Sequence, residues 1–297
     1  MSPRGRIALT VLIATIYAAC YSAIKAGLAF APPLGFAGLR ALTAGLALLG
    51  VQALRCRALL PPRRLWPAVL AIAALGTTIG FGAMFMSPGR TGAGIASVLG
   101  NTTPLMIVGL AAVVLHERLT RDKIIALALA FTGVSLIAYR GLTGPQAYGV
   151  AGLLLPLSAA AGSASESVLA KRANAGEHLL AVAGWQLTIG SFPLLAASVW
   201  LERARPIAWS PVFIGLLLFL ALVGTSFTTG LWYWLVQRDD VGRLSVVLLL
   251  APVLGLLLAA AVFGERIGLV EFAGIGLAIA GTIVAAWGSF RAAHRQR

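Results

Sequence analysis

The sequence predicts an all-α integral membrane protein, in which ten transmembrane helices form two inverted five-helix repeats around a central cavity. The first observation is composition: hydrophobic residues make up 59% of the 297 residues and charged residues only 11%, with a mean hydropathy of +0.93. Charged residues are nearer a quarter of a soluble domain. The other two observations are a series of apolar segments of membrane-spanning length and an internal repeat.

Each apolar segment is about long enough to cross roughly 30 Å of hydrocarbon as an α-helix. The segments lack the alternation over about ten residues that a membrane β-barrel needs, so helices must satisfy their backbone hydrogen bonds. The first segment is too long for a signal peptide and is interpreted as a span. The predicted spans are Ile7–Ala31, Leu34–Leu54, Leu65–Met86, Thr91–Leu115, Lys123–Tyr139, Tyr148–Leu169, Leu179–Leu201, Val212–Val236, Leu244–Phe263 and Leu269–Phe290.

The distribution of Lys and Arg predicts the orientation in the membrane. With the N-terminus inside, the tails and the even-numbered connections hold about sixteen positive charges, and the opposite side holds about six. Because cytoplasmic loops carry the excess of Lys and Arg, both termini are predicted to be cytoplasmic. This pattern accounts for the net charge of +14 without a nucleic-acid partner.

One half of the chain repeats the other. Residues Gly76–Gly141 match Gly224–Ser289 at one constant offset without gaps, and the front parts of the halves match at a slightly different offset, where Arg40 falls on Gln186. The first-half residues that meet an identical residue include Lys25, Gly38, Gly76, Thr77, Gly82, Arg90, Gly94, Ser97, Val98, Pro104, Glu117, Arg118 and Gly133. The match indicates two copies of one unit, residues 1–144 and 145–297.

A five-helix unit begins and ends on opposite faces of the membrane, so the second copy is predicted to be inverted. Inverted repeats are a feature of transporters. Two packings of similar energy, exchanged between the copies, open a central site first to one side and then to the other. The repeat therefore predicts transport by alternating access.

Both copies contain a serine, a mid-helix proline, a run of small residues and a Glu-Arg pair. The two stretches begin at Ser97 (SVLGNTTPLMIVGLAAVVLHERLT) and at Ser245 (SVVLLLAPVLGLLLAAAVFGERIG). This pattern resembles the EamA domain of the drug/metabolite transporter superfamily in its ten-helix, two-domain form, over nearly the whole chain. The resemblance implies a central cavity lined by helices one to four and six to nine.

The resemblance also implies a function. The superfamily includes exporters of amino acids and other metabolites, alongside nucleotide-sugar and drug transporters. We therefore expect an exporter of small amphipathic metabolites such as amino acids, in the bacterial inner (plasma) membrane. A lipid-carrier flippase and a drug exporter of the same superfamily are alternatives. An integral-membrane lipid-modifying enzyme is the alternative of another class, but the acidic pair Asp239–Asp240 has no second acidic cluster with which to form a metal site.

Ionisable residues inside predicted spans are costly and are interpreted as functional. Arg40 lies about two turns into helix two with no acid near it in the sequence, so it is predicted to bind an anionic group of the solute in bidentate fashion. An ion pair with Glu166 is the structural alternative. Glu166, in helix six, is either a proton-coupling carboxylate or a partner of Lys171 or Arg172.

Aromatic and polar residues complete the predicted substrate site. Tyr17, Tyr21 and Lys25 are spaced by four and form one stripe on helix one, which suits a small amphipathic solute with a carboxylate. An alternative for Lys25 is a side chain that snorkels to the interface. The remaining candidates are Phe81, Asn101, Trp185, Thr229 and Trp232.

Asn101 is a candidate because of the proline that follows it. The stretch Asn101–Pro104 is the most polar part of its span, whereas the matching stretch Leu249–Pro252 keeps the proline and loses the polar groups. The proline is therefore interpreted as structural and Asn101 as functional. Thr77 and Thr225 are interpreted as helix-packing residues.

No catalytic residue, metal site or cofactor is predicted. The expected partners are a small-molecule substrate and membrane lipid, with a proton as a candidate coupling ion and no nucleic acid. The protein is expected to be a monomer or a homodimer.

Overall fold

The structure, a computed structural model, is helical throughout the part of the chain that it describes, and no strand occurs there. The described residues are 3–91, 99–100, 102–117, 121, 124–126, 128–129, 132–133, 136, 149–248, 251, 268–270, 272–277, 279–281 and 283–284.

Eight main helices are labelled in chain order. They are α1 (Pro3–Gly27), α2 (Pro33–Leu54), α3 (Arg63–Met86), α4 (Thr103–Val114), α5 (Gly149–Ala173), α6 (Gly176–Leu201), α7 (Pro211–Val236) and α8 (Val241–Val247), with a one-turn helix Pro88–Thr91 between α3 and α4. Among the described residues, six of these helices are long and apolar enough to span a membrane: all except α4 and α8.

Six predicted spans, the first to third and the sixth to eighth, therefore each coincide with a helix of spanning length. The first one ends at Gly27 rather than at Ala31, because the chain turns before Pro33 begins α2. The fourth is occupied in part by α4. Four predicted spans are interrupted by stretches outside the described residues, so the count of ten and the inverted arrangement stay predictions. These are Thr91–Leu115, Lys123–Tyr139, Leu244–Phe263 and Leu269–Phe290.

Proline and a side-chain cap mark the starts of α2 and α7. Pro33 and Pro211 stand in the first turns, where the missing N–H has no intrahelical partner to lose. The Glu202 carboxylate, just after α6, accepts hydrogen bonds from the backbone N–H groups of Leu34 (3.0 Å) and Gly35 (3.1 Å). An acid is favourable at a helix N-terminus, so this cap fixes the end of α6 against the start of α2.

Helices α2 and α6 cross closely through small residues. A Cβ on Gly45 would lie 2.8 Å from the Gly184 carbonyl oxygen. Beside this crossing, a Cβ on Gly38 would lie 2.7 Å from Leu195 Cγ, and one on Gly184 would lie 2.7 Å from Leu49 Cγ. Small residues allow such an approach between membrane helices. Gly38 corresponds to Gly184 in the repeat, and Leu49 to Leu195, so one contact occurs twice.

Helices α3 and α7 each contain a nine-residue π-helical segment, Ala73–Phe81 and Phe219–Phe227. The two segments fall on overlapping parts of the repeat. In α7 the Thr225 hydroxyl donates a 2.8 Å hydrogen bond to the carbonyl of Leu220, five residues earlier. A π-helix is rare and frequently marks a functional site, which directs attention to the space between these two helices.

The outer surfaces of the helices are apolar. Side chains such as Leu46, Leu154, Phe192, Val199 and Leu222 lie exposed there. Large contiguous apolar surfaces are rare on soluble monomers, whereas hydrocarbon covers them in a bilayer. The described helices therefore form a multi-pass membrane protein.

Candidate functional site

A cavity of about 110 Å³ lies between the two π-helical segments, where α1, α2, α3, α4, α5 and α7 meet. This volume holds on the order of ten water-sized positions, which is enough for a small solute. The described residues that line it are Tyr17, Tyr21, Arg40, Phe81, Met84, Gly100, Thr103, Pro104, Ile107, Ala159, Ser163, Glu166, Ser167, Gly224, Thr225, Thr229, Trp232 and Leu248.

The structure brings seven of the ten predicted site residues together around this cavity: Tyr17, Tyr21, Arg40, Phe81, Glu166, Thr229 and Trp232. Lys25 and Trp185 are not among the lining residues that the structure describes, and Asn101 lies outside the described residues. The Trp185 Nε1 donates to the Leu59 carbonyl (2.9 Å) and its ring lies 5.9 Å from that of Trp66. Trp185 therefore packs against the α2–α3 connection and the start of α3.

Arg40 is 2% exposed and is held by neutral groups. Its Nε donates to Thr225 Oγ1 (2.7 Å) and its Nη2 to the Gly224 carbonyl (3.1 Å), while the guanidinium carbon lies 4.9 Å from the centroid of the Phe81 ring and 5.5 Å from that of Phe85. The third nitrogen, Nη1, has no hydrogen-bond partner among the described residues. Arg40 thus borders the cavity with one nitrogen that no described residue engages, rather than with a free bidentate edge.

Glu166 is the second ionisable residue in the cavity wall. Its Oε1 accepts hydrogen bonds from the Tyr233 hydroxyl (3.0 Å) and, at the limit of the distance, from Gln186 Nε2 (3.5 Å). Among the described residues, Glu166 forms no ion pair with Arg40, and Lys171 pairs with Glu117 instead (3.1 Å). Glu166 therefore forms neither of the two structural ion pairs considered for it, with Arg40 and with Lys171.

The repeat relates Arg40 to a neutral residue in the same setting. Arg40, on α2 of the first copy, bonds Thr225 on α7 of the second copy. Its counterpart Gln186, on α6 of the second copy, accepts a 2.5 Å hydrogen bond from Thr77, the counterpart of Thr225 on α3 of the first copy. One contact between the copies therefore occurs twice, once with a charged residue and once with a neutral one.

A second pair of hydrogen bonds repeats in the same way. The Ser226 hydroxyl donates to the Ala44 carbonyl (3.0 Å), and the hydroxyl of its counterpart Thr78 donates to the carbonyl of Gly190 (3.0 Å), which is the counterpart of Ala44. Each π-helical segment is thus joined by two adjacent hydroxyl residues to a helix of the other copy. We call these two pairs of contacts the cross-copy clamps.

In a third repeated contact, a cysteine stands at the position that Glu166 has in the other copy. A Cβ on Gly224 would lie 2.9 Å from Cys20 Sγ, and a Cβ on Gly76 would lie 2.9 Å from Glu166 Cβ. At the offset that aligns Arg40 with Gln186, Cys20 aligns with Glu166. Glycine is required at both places because a larger residue would displace the neighbouring side chain, and the carboxylate again has a neutral counterpart.

Sequence reasoning missed two serines in the cavity wall. Ser163 and Ser167 line the cavity and correspond in the repeat to Tyr17 and Tyr21. The Ser167 hydroxyl accepts a 3.0 Å hydrogen bond from Trp232 Nε1. The repeat offset that aligned Arg40 with Gln186 was the signal available to find them. The cavity is thus lined by two tyrosines of α1 and by two serines at the equivalent positions of α5.

Thr225, interpreted from the sequence as a helix-packing residue, does join two helices: its hydroxyl accepts a hydrogen bond from Arg40, and it also borders the cavity. No short sequence window contains this contact, because the two residues lie on α2 and α7.

A larger groove of about 910 Å³ lies on the other side of α7, against α1, α2 and α6. Its walls are mostly apolar, with Leu48, Leu180 and Trp234 among them, and Arg57 at one end pairs with Glu177. The smaller cavity is the better candidate, since buried polar groups converge there on a largely apolar pocket.

The acidic pair considered for an enzyme site has a structural setting. The Asp239 carboxylate lies 3.2 Å from Arg6 Nε, and the Asp239 carbonyl accepts a 3.0 Å hydrogen bond from Lys171 Nζ. Within the described residues, no group of three His, Cys, Asp or Glu side chains could hold a metal ion. Asp239 therefore joins α1 and α5 to the connection between α7 and α8.

Comparison with known proteins assigns most of the chain to one family of transporters. The model of the EamA-like transporter family matches residues 5–139 and 150–287. The sequence is 30% identical over 292 residues to a "Probable amino-acid metabolite efflux pump" of Salmonella typhimurium, covering 94% of each chain. It is 29% identical over 278 residues to the "Uncharacterized transporter YvbV" of Bacillus subtilis, covering 93% of this chain and 90% of that one.

The fold matches a solved structure as well. A protein crystal structure with 19% sequence identity superimposes with a TM-score of 0.71, covering 96% of this chain and 98% of that chain. The likeness at this identity concerns the fold alone, and it extends over nearly the whole of both chains.

Proposed function

Because the chain belongs to the EamA-like transporter family, we propose that it exports small amphipathic metabolites that carry a carboxylate, amino acids foremost, across a bacterial plasma membrane. The efflux pump of Salmonella typhimurium and a relative of the same name in Escherichia coli, 29% identical over 289 residues, support amino-acid metabolites as the substrate class. The excess of Lys and Arg in the even-numbered connections supports a cytoplasmic location for both termini.

The observation that carries the proposal is that Arg40 borders the cavity while its Nη1 has no hydrogen-bond partner among the described residues. A cation buried about two turns into a membrane helix costs ~2.5 kcal/mol by insertion scales, and the groups that hold Arg40 in the structure are neutral. A solute carboxylate at Nη1 would supply the missing anion through a charge-assisted hydrogen bond. Arg40 thus selects solutes by charge.

The aromatic residues supply the second half of the recognition. The rings of Tyr17, Tyr21, Phe81 and Trp232 line the cavity, and rings give a large apolar contact area at low cost in side-chain entropy. A few polar groups then fix the orientation of the solute, as in most small-molecule sites. The arrangement suits an apolar body with one anionic end.

The cross-copy clamps support alternating access. They join the two copies at equivalent points, and one of them, between Arg40 and Thr225, borders the cavity. Exchange of two similar packings between the copies would open that cavity to each side in turn.

A flux assay tests the proposed function. Purified protein is reconstituted in lipid vesicles loaded with one labelled solute at a time: an apolar amino acid, an apolar carboxylic acid, a neutral sugar or an organic cation. We expect protein-dependent efflux of the two carboxylate solutes, at rates well above those of the sugar and the cation. Efflux of the cation alone would contradict the proposal.

A further inference from the structure

We propose that Glu166 binds the positively charged group of the solute, so that the cavity holds a zwitterion with its carboxylate at Arg40 and its ammonium group at Glu166. This inference rests on the proposed function and adds a second charged subsite to it. It is carried by the position of Glu166 and by what stands at the equivalent position of the other copy.

One oxygen of Glu166 is engaged and the other is not. Both hydrogen bonds that described residues make to the carboxylate, from Tyr233 and Gln186, go to Oε1. Oε2 has no donor among the described residues and lies beside Gly76, where a Cβ would come within 2.9 Å of it. Glu166 lines the cavity, so an ammonium group there could reach Oε2 directly.

The fold does not need either charge. At the position equivalent to Arg40, Gln186 forms a hydrogen bond with the equivalent threonine, Thr77, and at the position equivalent to Glu166, Cys20 packs on the equivalent glycine, Gly224. Each charge therefore stands where a neutral residue forms the same contact in the other copy. Because buried charges in a membrane are costly, retaining both indicates a charged ligand.

The two charges also remain apart. Arg40 and Glu166 line one small cavity, each held by its own neutral partners, and the described residues form no ion pair between them. A ligand with only a carboxylate would offset Arg40 and leave Glu166 without a counter-ion. A zwitterion offsets both charges at once.

The surroundings of Glu166 complete an ammonium subsite. Ser163 lies one turn before Glu166 and Ser167 directly after it, and both line the cavity. An ammonium group has three donors, and two hydroxyls beside a carboxylate supply acceptors for them. The equivalent positions in the other copy carry Tyr17 and Tyr21, which offer rings in place of small hydroxyls.

The test uses three solutes that share one side chain: phenylalanine, 3-phenylpropionate, which lacks the amine, and phenethylamine, which lacks the carboxylate. Their efflux from vesicles is measured for the wild-type protein and for Glu166→Gln, Glu166→Asp and Glu177→Gln. The last variant removes an exposed carboxylate that pairs with Arg57 and serves as the control. Thermal midpoints of the purified proteins identify any folding defect.

We expect Glu166→Gln to lower phenylalanine efflux by about tenfold or more, since hydrogen bonds to charged groups are the strong ones, and to leave 3-phenylpropionate unchanged or faster. Glu166→Asp keeps the charge, so its phenylalanine efflux should fall between that of the wild type and that of Glu166→Gln. This intermediate rate separates charge recognition from misfolding. Glu177→Gln should match the wild type for all three solutes.

Equal losses for phenylalanine and 3-phenylpropionate in Glu166→Gln would overturn the assignment. So would a variant that still exchanges phenylalanine across the membrane but no longer accumulates it against a proton gradient, because Glu166 would then carry a proton. Wild-type transport with unchanged selectivity in Glu166→Gln would overturn the Glu166 subsite alone. Failure of the wild type to move any carboxylate solute would overturn the proposed function as well.

Discussion

Arg40 and Gln186 hold equivalent positions in the two copies of the repeat, and each bonds a threonine of the other copy. Arg40 Nε donates to Thr225 Oγ1 at 2.7 Å, and Gln186 Oε1 accepts from Thr77 Oγ1 at 2.5 Å. The same architecture thus carries a cation at one of the two equivalent positions and a neutral amide at the other. Because the fold forms this contact with a neutral amide at Gln186, the charge of Arg40 is not a requirement of the fold, and we attribute it to the ligand.

Changes at Arg40 should alter which solutes are exported. Arg40→Lys keeps the charge and loses the hydrogen bonds to Thr225 and Gly224, so we expect weaker transport of carboxylate solutes with protein levels intact. Arg40→Gln should nearly abolish their transport, by about tenfold or more, while cationic solutes are spared. Efflux from vesicles, normalised to the amount of folded protein, measures both.

Arg57→Gln is the matched control, because it removes an exposed arginine outside the cavity. If Arg40→Gln folded poorly and lost every solute in proportion, Arg40 would be structural and the carboxylate assignment would be wrong.

The aromatic wall should set substrate preference. Tyr21→Ala and Trp232→Ala each remove a ring from the cavity, so we expect the rank order of exported solutes to change, with the bulkiest apolar solutes losing most. Competition among a panel of amino acids in the flux assay measures the order. Phe192→Ala removes an exposed ring on the outside of α6 and should leave it unchanged. An equal loss for all solutes would indicate a folding defect.

The cross-copy clamps should differ in their contribution to stability. Thr225→Val leaves the buried Arg40 Nε without an acceptor, and we expect a loss of about 1.5–3 kcal/mol, as for hydrogen bonds to charged groups. The equivalent change Thr77→Val removes a bond to a neutral amide and should cost about 0.5–1.5 kcal/mol. Unfolding midpoints in detergent measure both, and Thr225→Ser should restore most of the loss. Equal effects at the two sites would contradict the charge-based explanation.

The orientation can be tested by labelling from the two sides of the membrane. The background is Cys56→Ser, since Cys56 is exposed and Cys20 is fully buried. Single cysteines replacing Arg57 and Arg203 are expected to react with an impermeant thiol reagent from opposite faces, with Arg57→Cys on the cytoplasmic side. Labelling of both from one face would remove the topology on which the inverted repeat depends.

Sequence reasoning was strongest where local pattern decides the outcome. The helices α2, α6 and α7 begin and end within a few residues of the predicted spans, because length and apolar composition alone determine whether a segment can cross a bilayer. Proline at Pro33 and Pro211 marks two of the starts. These features require no knowledge of tertiary contacts.

The site was predictable only in part because its contacts are long-range. Arg40 and Glu166 could be identified because ionisable residues inside predicted spans are unusual. Their partners Thr225 and Tyr233 could not, because they lie far away in the sequence. Trp185 was chosen as an aromatic residue in a span, yet residue type does not show which way a ring faces, and it packs on Trp66. The π-helical segments shift the register of α3 and α7, which a regular helical spacing cannot anticipate.

The clamps impose an order on biosynthesis. Arg40 enters the membrane early in translation, but Gly224 and Thr225, its acceptors, belong to a helix that is synthesised much later. The nascent first half therefore holds a guanidinium whose final acceptors do not yet exist, in a medium where missing acceptors are costly. Lipid headgroups, water or the insertion machinery must shield it meanwhile. The centre of the protein is completed only after the second half has been threaded into the bilayer.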